Sequence, residues 1–355
     1  MTDPRRPMAS EVADRAVAMA LEAGATQAEA VVVDGASALT RFANNELHQS
    51  VAEDGVSINL RFVDGQRIGV ASGNTLDDDA LRRLAATAAE TARHQPEQEW
   101  FRSLPEPGPV PLVDGAWAQG TAEADPDLRA DAAAAIIGAA RAVEAQAFGM
   151  VETTSETIAV VNSLGVDVNE QRSRSHVLTV MMGPGGGTGY ADQVAVDFGA
   201  IDASALGREA AERTAAMKDP IELPAGDYPV VLDHYAAMDI ALWLGFVGFN
   251  AQEVLEQQSF FEPGKVVASP LVNLADDGTD TDGTPASFDY EGVAKRRVPL
   301  IEAGVCREVV HDSKTAAAAG VASTGHALPA PNPWGPFPFN MSMAAGETSR
   351  EELIG

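Results

Sequence analysis

His234 and Asp239, five residues apart in "LDHYAAMDIALWL" (Leu232 to Leu244), are the pair whose types and spacing come nearest to a metal site. The outline is that of the zinc-peptidase motif HExxxH with two letters changed. His234 holds the first ligand position, Tyr235 stands where a catalytic Glu belongs, and Asp239 replaces the second His. Asp is a legitimate zinc ligand. A zinc peptidase also needs a base to take the proton from metal-bound water, and a phenol with an ordinary pKa of about 10 is a poor one at neutral pH. Five residues of regular helix advance about 500°, which sets positions 234 and 239 about 140° apart. They could share a metal only across a distortion such as a π-type turn. No third ligand is apparent, so these residues argue for a degenerate motif over a working hydrolytic centre.

Other motifs are weaker. The loop "GPGGGTG" (Gly183 to Gly189) has no frame that gives GxGxxG and no Walker lysine after it. It also lies between strands rather than before a helix, so it reads as a hairpin loop and not a phosphate cradle. "DDGTDTDG" (Asp276 to Gly283) resembles a calcium loop, but the EF-hand frame puts Gly278 at the first ligand position and Asp289 at the twelfth. A solvated turn is the expectation. No GxSxG elbow is present. Cys306, the single cysteine, sits in a strand-like "GVCREVV" and reads as a buried structural thiol. One cysteine allows no intrachain disulfide and no Cys-rich zinc site, which suits a reducing cytoplasm.

The elements that must position these residues follow from periodicity and punctuation. A helix is expected over 9–23, with Ser10 as N-cap and Gly24 closing it. Two strands are expected around an Asp34-Gly35 turn, and a second hairpin around Asp64-Gly65. Asp77 caps a helix to about Arg93 with an acidic start and a basic end. The Pro-rich "LPEPGPVPL" (Leu104 to Leu112) marks a boundary. Beyond it come a helix from about Pro126 to Ala145, strands from about Met150 to Asp197 and a helix from Ser204 to Met217. A further boundary at "KDPIELPAGDYP" precedes a strand at 228–233 and a helix at 235–249. No internal repeat or heptad pattern is visible.

The fold class is therefore α+β. An N-terminal α/β domain with a mixed sheet and helices is expected over 1–105. A central helix-plus-strands domain over 106–221 and a strand-rich C-terminal domain over 222–355, carrying the motif helix, complete it. At 355 residues the chain is long enough for two or three such units.

Charge excludes some partners. The chain carries 52 acidic and 24 basic residues, a formal charge of −28. Such a surface repels phosphate backbones and anionic lipid, so neither nucleic acid nor membrane is an expected partner. Arg5 and Arg6 hint at a twin-arginine signal, but Glu11, Asp14, Arg15 and Glu22 interrupt what would be its apolar region. The longest apolar run, Ile240 to Phe249, is about half a bilayer span.

Taken in order, several stretches resemble the TldD/PmbA family of peptidases, and in particular its TldE (PmbA) branch. They are "GATQAEAVVV", "LTRFANNELHQS" (Leu39 to Ser50), "RIGVASGNTLDDDALRRL", "SFDYEGV" (Ser287 to Val293, close to the family's FDxEG), "LIEAGV", "STGHAL" (Ser323 to Leu328) and "GETSREELI" (Gly346 to Ile354). The resemblance implies a two-subunit cytoplasmic zinc metallopeptidase acting on unfolded or small peptides held in extended form. The TldD-type subunit of that family carries HExxxH and a later Cys ligand, and zinc is expected there. The TldE-type subunit lacks the motif and helps enclose the chamber, and His234, Tyr235 and Asp239 match that degenerate pattern. Family members continue with further strands beyond "EELI", so a short or truncated last domain is expected here.

The expected function is a non-catalytic TldE-like subunit that pairs in a heterodimer with a zinc-bearing TldD-type chain and offers strand edges to an extended peptide. Arg41, Phe42, Asn44, Asn45 and His48 are the candidate peptide lining. Two rival readings are a self-sufficient metallopeptidase using His234 and Asp239, and a stand-alone peptide-binding protein.

Overall fold

Long hairpins build the first half of the chain, described in a computed structural model over residues 6–218 and 220–354. Arg5 of the dipeptide weighed as an export signal lies outside the described residues. Helix α1 (Arg6–Glu22) leads into β1 (Gln27–Ala43), β2 (Glu46–Asp64), β3 (Arg67–Gly73) and α2 (Asp78–His94). After the short α3 (Gln119–Ala122), the order continues with α4 (Pro126–Ala142), β4 (Gln146–Asn162), β5 (Asp167–Met182), β6 (Thr188–Ala195) and α5 (Ala203–Ala216). Asp77 caps α2 through its carboxylate, as the sequence signals require, and Asp125 does the same for α4. Ser10, expected as a cap, lies inside α1.

The strands form one six-stranded sheet, ordered β3-β2-β1-β4-β5-β6. Every pairing in it is antiparallel; the short hairpins within β1–β3 and β4–β6 leave no room for the crossover a parallel pair needs, and β1 and β4, far apart in the chain, also meet antiparallel. The turn expected at Asp34-Gly35 is absent, and β1 runs straight through it. Asn44 and Asn45 make the turn instead, with φ of 52° and 63°, values that Asn tolerates better than most residues. Gly35 serves close approach, since a Cβ there would sit 2.7 Å from Glu156 Cβ and Ser155 O on β4. The Asp64-Gly65 turn is where the sequence places it.

The sequence shows no repeat, yet the structure has one. Helix, three strands, helix occurs twice, α1 to α2 and α4 to α5, with β1 and β4 antiparallel at the centre. The sheet thus continues across the boundary expected at residues 105 and 106. The pleat divides each strand between two faces. Ala28, Ala30 and Val32 pack under α1 and α2, while the helices of the second unit bury Ala147, Val151 and Val177 of the same face. On the other face Val31, Ile158 and Val160 meet Phe288 from the C-terminal part of the chain.

That C-terminal part comprises α6 (His234–Trp243), a single π turn (Leu244–Gly248), α7 (Ala251–Leu255), β7 (Leu274–Asp276), β8 (Val298–Glu302), β9 (Val305–Cys306), α8 (Ser313–Ala319), β10 (Met341–Met343) and α9 (Arg350–Ile354). Its four short strands pair antiparallel in the order β10-β7-β8-β9 around Phe249, Leu300 and Val310, with Cys306 buried among them. The strand expected at 228–233 does not form. Those residues are largely exposed and join no ladder among the described residues, and an apolar stretch is not a strand without a neighbour to bond.

Candidate functional site

Helix α6 opens on Asp233, whose carboxylate accepts the His234 backbone N–H at 2.7 Å and lies 2.6 Å from His234 Nδ1. Arg213 of α5 pairs with the same carboxylate and spans Tyr235, with its guanidinium 5.1 Å from the ring centre. Tyr235 reaches the edge strand β6, where its hydroxyl accepts the Asp192 N–H at 3.0 Å and donates to Asp192 O at 3.2 Å. A phenol thus satisfies both free backbone groups of an edge residue. Burial is the largest influence raising the Tyr235 pKa, which moves it further from service as a base.

The helix is regular from His234 to Trp243, and its π turn begins at Leu244, too late to bring Asp239 beside His234. The His234 side chain is 65% exposed with Nδ1 already engaged, and Asp239 is exposed. Among the described residues no group of three or more His, Cys, Asp or Glu side chains is arranged to hold a metal ion. The residues at the motif therefore do not fit zinc.

The candidate peptide-lining residues divide. Phe42 is 1% exposed inside the second helix-face core. Asn44 and Asn45 form the turn, and Asn45 is tied down by Ala147 N, Ala145 O and Arg141. Arg41 and His48 are exposed beside each other, with His48 Nδ1 3.3 Å from Arg41 O. The glycine loop is the β5–β6 connection. In the calcium-like stretch, Asp277 and Asp280 accept backbone N–H groups within their own turn. Asp276 departs from the solvated-turn reading: it is fully buried, 2.6 Å from His326 Nε2, and it accepts the Asn340 N–H.

The strongest polar constellation lies between the sheet and the C-terminal part. Arg61 of β2 pairs with Glu29 of β1 and with Glu291, each at 2.9 Å, and all three are buried. Burial pushes the Glu29 carboxyl up to about 8, against the pull of Arg61. In "SFDYEGV" the two acids have separate tasks. Asp289 gathers the N–H groups of Glu291, Val293 and Ala327 at 2.9, 3.0 and 2.8 Å, closing its own loop. Burial, reinforced by Glu291, lifts its carboxyl to about 7. Glu291 reaches Arg61 on one side and the Ser313 N–H and hydroxyl on the other. A second anchor is Glu170 of β5, which accepts Ser287 N and Oγ and pairs with Arg172 at 2.7 Å. A third is buried His326, with Nδ1 2.9 Å from the Thr324 hydroxyl and Nε2 2.6 Å from the Asp276 carboxylate. Burial, opposed by Asp276, holds its pKa down.

Two clefts flank this seam. One, of about 810 Å³, is bordered by Arg61, Glu291, Asp312 and Lys314 together with Trp100 and Pro331. The other, of about 450 Å³, is bordered by Arg172, Lys295 and His326 with Phe288, Phe337 and Phe339. The sequence singled out none of these polar residues as a site. Their signal was charge alternating with apolar residues on β1 and β2 and a polar run on β5, which reads as a solvent face until another part of the chain covers it.

Three family profiles match the chain in sequence order. They are PmbA/TldA metallopeptidase domain 1 over residues 28–92, the central domain over 121–218 and the C-terminal domain over 225–355. The chain belongs to the PmbA/TldD metallopeptidase family. Comparison with curated protein sequences finds no match. Among solved structures, a Thermotoga maritima protein described as a modulator of a DNA gyrase superposes with a TM-score of 0.84 at 20% identity, covering 97% of this chain and 79% of its own. TldE from Thermococcus kodakarensis gives 0.84 and 20%, covering 97% and 80%. A Bacteroides thetaiotaomicron protein, also described as a modulator of DNA gyrase, gives 0.81 and 19%, covering 97% and 79%. At these identities the likeness carries the fold. It is the PmbA/TldD α+β fold, with the six-stranded sheet followed by the smaller C-terminal one. Among the described residues no helix is long and apolar enough to cross a membrane.

Proposed function

We propose that this chain is the non-catalytic, TldE-type subunit of a cytoplasmic zinc-dependent peptidase, pairing with a zinc-bearing TldD-type subunit. Tyr235 carries the reading: the residue in the base position is spent on bonding the β6 edge, and the histidine beside it on its own helix cap. What this chain contributes is shape and binding surface. Unfolded or small peptides are the substrate class, held in extended form, and Arg41, Asn44 and His48 at the exposed hairpin end are the remaining candidates for their lining.

The region of the motif helix also presents apolar surface that a lone chain does not need. Val230 is 72% exposed, and Met238, Ile240 and Trp243 stand out from α6 at half or more exposure. Apolar area of that kind marks an interaction surface, and in this reading its occupant is the zinc-bearing subunit.

The test is gentle affinity isolation of the chain from its native cells, with companions identified by mass spectrometry. A stoichiometric companion carrying HExxxH is expected. Recovery of the chain alone, with stoichiometric metal that a His234→Ala variant loses together with activity, would replace this reading with that of a self-sufficient peptidase.

A further inference from the structure

The cleft of about 450 Å³ has a feature that packing alone does not require. Three cations border it. Arg172 is committed to Glu170 at 2.7 Å and to Phe288 O at 2.8 Å, and Arg174 is paired with Glu152 at 2.9 Å. Lys295 is different: among the described residues its ammonium makes no ion pair and no hydrogen bond, and it borders the cleft. Its surroundings hold it in place. The Lys295 backbone N–H donates to Ser287 O at 3.0 Å. Its stem lies across Gly278, where a Cβ would come within 2.4 Å of Lys295 Cδ. On the other side Gly325, at φ +75°, leaves no room for a Cβ, which would sit 2.8 Å from Lys295 Cα. Burial holds the ammonium pKa down, with Asp276 and Asp289 opposing that effect.

The carboxylates nearby do not fill the role of counter-ion. Asp276 is engaged by His326 and the Asn340 N–H, and Asp289 spends both oxygens on backbone N–H groups. Glu156, which also borders the cleft, has its carboxyl raised by burial. Part of the remaining wall is aromatic. Phe337 and Phe339 stand 4.7 Å apart, centre to centre, with Phe339 64% exposed. A desolvated cation held beside an apolar wall matches a small ligand with an anionic end and an apolar body.

We propose that this cleft is a carboxylate-recognition subsite, taking a peptide carboxylate on Lys295 with the neighbouring apolar side chain against Phe337 and Phe339. The subsite rests on the peptide-handling reading above and adds a chemical preference to it. On a chain of formal charge −28 a carboxylate is repelled almost everywhere else, so a fixed unpaired cation orients the ligand as well as binding it. The carboxylate can come from a peptide C-terminus or from an acidic side chain.

The experiment titrates the purified full chain with four probes by calorimetry: acetyl-Ala-Ala-Ala-Phe as free acid, the same peptide as amide, acetyl-Ala-Ala-Asp-Phe amide, and N-acetylphenylalanine. The free acid is expected to bind about tenfold more tightly than the amide, the difference a charge-assisted hydrogen bond makes. The Lys295→Met variant should lose that difference without loss of Tm, since Lys295 supports no ion pair. Aspartyl amide binding as tightly as the free acid keeps the subsite and assigns it to acidic side chains. N-acetylphenylalanine binding through Lys295 while no peptide binds also keeps it, and overturns the peptide reading instead. Equal affinity for all peptides, a difference that survives Lys295→Met, or no binding of any probe overturns the subsite.

Discussion

At the scale of single residues, Arg61 decides most. It stands between Glu29 and Glu291 in the buried seam, so its loss strands two carboxylates away from water. Arg61→Leu should cost about 3–5 kcal/mol, the range for breaking a buried ion pair from one side, read as a lowered urea midpoint. The seam also makes stability depend on pH. Glu29 ordinarily titrates at 4.5 and in the folded chain at about 8, and Asp289 moves in the same direction to about 7. Between these values the folded chain holds protons the unfolded chain has released, so stability falls as pH rises. The contribution is complete below the ordinary carboxylate values and lost by about pH 8. Glu29→Gln should flatten that slope in Tm measured from pH 5 to 8. Burial raises Glu291, but Arg61 and the Ser313 hydrogen bonds together outweigh it and leave the carboxyl lowered, so it acts in the opposite sense and in the acid range.

Elements meet at a few glycines and one phenol. Gly69 on β3 and Gly189 on β6 hold equivalent places in the two repeated units. A Cβ at Gly69 would lie 2.0 Å from Ala88 O of α2, and one at Gly189 would lie 1.9 Å from Ala210 O of α5. Each outer strand therefore touches its covering helix backbone to backbone. Gly189→Ala should destabilise by about 1–3 kcal/mol or more, since helix backbone cannot swing aside as a side chain can. Tyr235→Phe removes two hydrogen bonds to Asp192 and should cost about 0.5–1.5 kcal/mol for each. Hydrogen exchange at the Asp192 amide should quicken while the central strands keep their protection.

The molecule as a whole has three layers. Helices cover one face of the sheet, and the C-terminal part covers the other and forms the polar seam and both clefts against it. The exposed apolar surface around α6 belongs to neither layer. Trp243, 65% exposed, is expected to anchor the zinc-bearing subunit. Trp243→Glu should abolish co-isolation of that subunit while leaving the Tm of the isolated chain within about 1 °C, because surface substitutions away from packed groups cost little.

The helices and hairpins were legible wherever a local signal determines them. Asp77 and Asp64-Gly65 act on the backbone beside them, and a cap or tight turn needs only a few neighbouring residues. The degeneracy of the motif was legible for the same reason, since a phenol in the base position is a fact of residue type. Two elements misled. Asp34-Gly35 looked like a turn but lies inside β1, where glycine admits the close pass of β4. Residues 228–233 carried a strand pattern, yet forming a strand depends on a partner that no local signal supplies. The repeat and the seam were hidden by distance. Glu29 and Arg61 alternate with apolar neighbours just as solvent-facing residues would, Glu170 sits in the polar run Asn169 to Ser175, and only the arrival of Ser287 to Glu291 over that face makes them buried partners. Residue chemistry and local turns were the sequence's to determine. Which charges meet, and which cation is left unpaired beside a cleft, depended on contacts between residues distant in sequence, up to 230 positions for Arg61 and Glu291, and those exist only in the folded chain.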